Sequence, residues 1–89
     1  MKSQTTEKFR SLFAAAVPEC QARIRSAYRL WRENPAHPSL RFKKVHPRLP
    51  IYSVRVDLNW RAVGVLEGKT MLWFWVGPHG KYEALLKAL

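Results

Sequence analysis

Thr70-Met71-Leu72-Trp73-Phe74-Trp75-Val76 is the stretch from which the fold can be read. A strand with one wet face alternates apolar and polar residues, whereas this run is apolar on both parities from Met71 onward, which predicts cover on both faces and a central position rather than an edge. Met71, Trp73 and Trp75 share one parity and Leu72, Phe74 and Val76 the other, so one row is expected under helices and the other on the opposite face. Beyond it, Gly77-Pro78-His79-Gly80 interrupts the strand. Tyr82, Leu85, Leu86 and Leu89 then recur at i, i+3, i+4 and i+7, the spacing of a short terminal helix.

Upstream, Tyr52, Val54 and Val56 alternate with Ser53 and Arg55, so this strand buries one side and presents an arginine on the other. Turn signals at 46–50, 57–59 and 67–69 separate the strands by a few residues, and connections that short join antiparallel neighbours. The simplest arrangement is a four-stranded meander over about residues 40–46, 51–57, 61–67 and 70–76. Before residue 40 the period is helical. Phe9, Leu12, Phe13 and Ala16 form one stripe with Thr6 as N-cap. Pro18 then suits the first turn of a second helix with Cys20, Ile24, Ala27, Tyr28 and Trp31 on one face. Asn34-Pro35 ends it. The expected fold is therefore α+β: an N-terminal helical hairpin packed on a curved four-stranded antiparallel sheet, with a short C-terminal helix.

At 89 residues the chain suits one domain, residues 1–89, with no internal repeat. No apolar run approaches the roughly 20 residues that span a bilayer, so no membrane segment is expected. One cysteine, Cys20, can form no internal disulfide and has no companion at ligand spacing, which makes a reducing cytoplasm the expected compartment. The six acidic residues are dispersed, so neither a metal nor another cofactor is expected and a two-metal nuclease is disfavoured. Sixteen Lys and Arg leave a formal charge of +10, which points to a polyanion or an acidic protein as partner.

A basic chain poor in metal ligands suits phosphate chemistry on RNA, whose ribose 2′-OH is an internal nucleophile needing alignment, proton transfer and positive charge. Arg55 points off the polar side of its strand, and Arg61 opens the next strand across a short turn. His79 stands between strand and helix, where an imidazole can give or take a proton. Tyr82 either reaches a phosphate or base from the same side or continues the apolar stripe with Leu85 and Leu89. Arg41, Lys43, Lys44 and Arg48 form a basic edge that serves solubility or contacts phosphate. His37 and His46 read as turn residues in proline-flanked loops. Leu30 lies off the main apolar face and serves either packing or docking.

These residues carry a resemblance to the RelE/ParE superfamily of bacterial type II toxins over nearly the whole chain. Its most specific parts are Asn34-Pro35-Ala36-His37-Pro38-Ser39-Leu40-Arg41-Phe42-Lys43, Tyr52-Ser53-Val54-Arg55-Val56 and Gly77-Pro78-His79-Gly80-Lys81-Tyr82, which look like a ParE-like toxin subfamily. The resemblance implies a toxin that either cleaves mRNA on the ribosome or inhibits DNA gyrase, and an acidic antitoxin as partner. Carried over by position, it assigns catalysis to Arg55, Arg61, His79 and Tyr82. Ser53 stands where RelE-like members have a lysine. The partial presence of the nuclease set favours a metal-independent, ribosome-dependent endoribonuclease over a gyrase inhibitor.

Overall fold

Thr6 starts the helical region as its context predicts, its Oγ1 accepting a hydrogen bond from the Phe9 amide at 3.1 Å. The computed structural model describes residues 1–89. In order these form β1 (Lys2–Thr5), α1 (Glu7–Ala15), α2 (Pro18–Glu33), a 3-10 turn (Pro38–Leu40), β2 (Lys43–Lys44), β3 (Ile51–Arg55), β4 (Trp60–Glu67), β5 (Thr70–Pro78) and α3 (His79–Ala88). Pro18 opens α2, where its missing N–H costs nothing, and Asn34 closes it. Gln21 links the two helices by donating to the carbonyl of Phe13 at 3.0 Å.

The sheet has five strands in the order β1-β5-β4-β3-β2 and is mixed, which corrects the expected four-stranded antiparallel meander. β1 pairs in parallel with β5, Lys2 opposite Thr70 and Thr5 opposite Trp73. Lys2-Ser3-Gln4-Thr5 has no apolar alternation, so it is a strand only because β5 supplies its hydrogen bonds. This strand also explains why β5 is interior: a meander alone would leave its last strand at the edge. The expected strand over 40–46 shrinks to Lys43–Lys44, because Pro38–Leu40 winds as a 3-10 turn and Arg41 adopts a left-handed φ of 45°. The expected hairpin is loose, since α1 packs chiefly on β5.

Alternation in β5 is also broken. Pairing with β4 steps from Val63 opposite Trp75 to Gly64 opposite Trp73, leaving Phe74 as the extra residue of a bulge. Trp75 therefore leaves the row of Met71 and Trp73, and Val76 joins it. Met71, Trp73 and Val76 pack with Ile24, Ala27, Trp31, Leu40, Val54 and Ala62 on the side of α1 and α2. Trp31 meets Trp73 edge to face at a centroid distance of 5.2 Å. Phe74 and Trp75 instead join Ile51, Val63 and Tyr82 on the side of α3. Leu30 is partly buried against the larger cluster, the packing alternative for that residue.

Candidate functional site: a basic cleft beside the last helix

The α3 side of the sheet is apolar at one end and basic at the other. Along β3, Ile51, Ser53 and Arg55 share this face, while Val65, Val63 and Arg61 lie opposite them on β4. Ile51 and Val63 are sealed beneath α3. Where that cover stops, Arg41, Lys43, Ser53, Arg55, Arg61, His79 and Tyr82 line an open cleft of about 240 Å³. Three tertiary relations assemble it: the β3–β4 pairing sets Arg55 opposite Arg61, the β2–β3 pairing sets Lys43 opposite Ser53, and α3 begins at His79 beside both.

Tyr82 anchors the helix over this floor. Its hydroxyl donates to Ser53 Oγ at 3.1 Å, and both residues are buried, 8% and 3% exposed. The bulge places Trp75 where its ring lies 6.5 Å from that of Tyr82. His79, by contrast, is open to solvent, with a side chain 47% exposed. Its Nε2 lies 3.5 Å from Glu83 Oε1 one turn on, and its backbone N–H donates to the carbonyl of Asn59 at 2.7 Å. The imidazole is thus reachable from solvent while the backbone that carries it is tied to the β3–β4 turn.

Arg61 is held from behind. Its Nη1 donates to the carbonyls of Asp57 at 2.8 Å and Trp60 at 3.0 Å, leaving the rest of the guanidinium fork for a ligand. None of Arg41, Lys43, Arg55 or Arg61 belongs to an ion pair, because the two pairs in the molecule are Arg23–Asp57 and His79–Glu83. Four uncompensated cations around an accessible imidazole suit a phosphate with a neighbouring group that gains or loses a proton. No three His, Cys, Asp or Glu side chains gather as a ligand set.

Arg55, Arg61, His79 and Tyr82 are thus brought together, joined by Arg41 and Lys43 from the basic edge. Lys44 and Arg48 are not. Lys44 lies one residue out of parity and donates to the carbonyl of His46, and Arg48 sits in the loop beyond it. His37 and His46 do act in turns: His37 Nδ1 accepts from the Ser39 amide at 3.2 Å, and His46 Nδ1 accepts from the amides of Arg48 and Leu49 at 3.1 and 2.9 Å. Sequence reading missed Ser53 as the partner of Tyr82, and it missed the turn beneath His79. The pattern Asp57-Leu58-Asn59 carries an Asx-turn signal, but nothing in it tells that Asn59 meets residue 79.

Residues 18–84 match the family model of a ParE-like toxin domain. Among solved structures the chain is similar to YafQ from E. coli strain BL21(DE3), with a TM-score of 0.74 and 12% identity over 91% of this chain and 96% of that one. It is similar to the toxin in the RelB-RelE antitoxin-toxin complex from Methanococcus jannaschii, with a TM-score of 0.72 and 15% identity over 91% and 95%. A third likeness is to the YoeB/ParE toxin from Agrobacterium tumefaciens, with a TM-score of 0.70 and 14% identity over 89% and 99%. No curated protein matches the chain by sequence.

Proposed function

Because the chain belongs to the ParE-like toxin family of the RelE/ParE superfamily, we propose that residues 1–89 act as one toxin domain of a type II toxin-antitoxin system, cleaving mRNA on the ribosome. The observation that carries this reading is the cleft in which Arg41, Lys43, Arg55 and Arg61 surround His79 with no carboxylate paired to any of the four. A gyrase-binding surface needs no exposed imidazole in a cleft lined by unpaired cations.

In this reading Arg55 and Arg61 grip the scissile phosphate and offset the charge that builds on its oxygens in the transition state. The ribose 2′-oxygen attacks the adjacent phosphorus, its proton passes to a base, and the 5′-oxygen leaves with a proton from an acid. A 2′,3′-cyclic phosphate and a 5′-hydroxyl result, with no external nucleophile consumed. His79 performs one of the two proton transfers. Tyr82, whose hydroxyl proton is directed at Ser53, is a positioning residue. The partner is an acidic antitoxin, in keeping with the RelB-RelE and DinJ-YafQ complexes among the similar structures and with a net charge of +10.

The test is cleavage of ribosome-bound mRNA by purified protein, read by primer extension. His79→Ala is expected to lower the rate by about 10²- to 10⁴-fold without a change in melting temperature, since the side chain is half exposed. Wild-type cleavage by this variant would remove His79 from the mechanism. Gyrase-linked DNA breaks without mRNA fragments would replace the reading with gyrase inhibition.

A further inference from the structure

Asp57 lies outside the cleft lining, yet four hydrogen bonds converge on it. Its Oδ1 accepts from the amides of Asn59 at 2.8 Å and Trp60 at 2.9 Å, closing the β3–β4 connection as an Asx turn. Its Oδ2 lies 3.3 Å from Arg23 Nη1, which ties the turn to α2. Its own carbonyl accepts from Arg61 Nη1 at 2.8 Å. Two residues on, the Asn59 carbonyl receives the His79 N–H at 2.7 Å.

Two members of the cleft lining therefore hang on one turn. Arg61 is fastened to the carbonyls of Asp57 and Trp60, and the first residue of α3 is fastened to the carbonyl between them. Without the carboxylate, the bonds that close the turn on itself reduce to those from the amides of Val56 and Asp57 to the Trp60 carbonyl, at 3.0 and 3.5 Å, and the turn depends otherwise on the Arg61 and His79 bonds it is meant to position. Leu58, at its tip, is 75% exposed and contributes no packing to replace them. From this arrangement we propose that Asp57 is a positioning residue: through the turn it organises, it sets Arg61 and His79 relative to each other across the cleft.

The inference rests on the reading of the cleft as an RNA-cleaving site for its kinetic consequence, but the geometry it asserts is measurable without any substrate. Displacement of a reacting group by about 1 Å can cost on the order of 100-fold in rate while leaving binding intact. Asparagine retains the Oδ1 acceptor of the turn and discards only the charge facing Arg23. Alanine discards both.

The experiment compares Asp57→Ala, Asp57→Asn and Asp57→Ser with wild type in two assays: amide hydrogen exchange of the folded protein by NMR, and kcat and KM for cleavage of ribosome-bound mRNA. In Asp57→Ala the His79 amide is expected to exchange about tenfold faster relative to the β4–β5 ladder amides. Its kcat is expected to fall about 10- to 100-fold with KM within twofold. Asp57→Asn should restore both to within about twofold, and Asp57→Ser, with a shorter acceptor, should fall between. Unchanged His79 exchange in Asp57→Ala overturns the proposal, as do equal losses in the Ala and Asn variants. Should Asp57→Ala fail to fold, a Ser variant indistinguishable from Asn in His79 exchange overturns it. If wild type cuts no ribosome-bound mRNA, it is the RNA-cleavage reading that fails, and the exchange result alone decides the positioning.

Discussion

Tyr82 is the residue at which the smaller core meets the cleft. Its ring closes the smaller core with Ile51 and Val63, and its hydroxyl supplies a hydrogen bond to Ser53 beneath the cleft. Tyr82→Phe keeps the ring and removes the donor. It is expected to cost about 1 kcal/mol, seen as a drop of about 5 °C in melting temperature for a chain of this size. A positioning role predicts a loss in cleavage rate below about tenfold, whereas a proton donor would lose on the order of 100-fold or more. Gly64 is a second such residue. A Cβ there would stand 2.8 Å from a ring carbon of Trp73, 2.9 Å from Met71 Sδ and 3.1 Å from the Leu72 carbonyl oxygen, all on buried β5. Gly64→Ala is expected to destabilise by about 1–3 kcal/mol through overpacking, measured as a lower urea midpoint at unchanged m-value.

At the scale of elements, β1 and the β5 bulge matter most. β1 gives β5 its outer neighbour and thereby makes an all-apolar strand interior. Removal of residues 1–5 is expected to leave β5 as an exposed apolar edge, so the shortened protein should elute as oligomers on size exclusion where wild type elutes as the smaller species. The bulge rotates Trp75 toward α3 and leaves Trp73 facing α2, so one strand supplies a large ring to each layer. A Cβ at Gly77 would come within 2.7 Å of that Trp75 ring, which shows how closely the indole lies over the strand opposite Arg61.

Over the whole molecule the sheet separates two environments. Its α1–α2 side carries the larger core, and its other side is divided between the cluster under α3 and the basic cleft. No helix is long and apolar enough to cross a membrane. Basic side chains that neutralise the phosphates of a nucleic acid displace its counterions. Affinity for a single-stranded RNA oligonucleotide is therefore expected to fall linearly with salt on logarithmic axes, and Arg41→Gln and Lys43→Gln should each lower the magnitude of the slope by about 0.7. Slopes unchanged by these substitutions would take the two residues out of the phosphate path.

The sequence by itself determined what neighbours along the chain control. Thr6 as a cap, Pro18 and Asn34 as helix limits, the alternation of Tyr52 to Val56 and the helical stripe after His79 are all decided within a few residues, by dihedral preference and by which face must leave water. The same proximity let Arg55 and Arg61 be paired across a short turn. Tertiary structure alone decided β1, whose polar residues form a strand only beside β5, and the bulge, which depends on how β4 meets β5. It also decided the Tyr82–Ser53 bond, spanning 29 positions, and the bond from His79 to Asn59. Each is a hydrogen bond or close contact whose partner lies far along the chain, and no local preference of either residue specifies which distant group will be there to receive it.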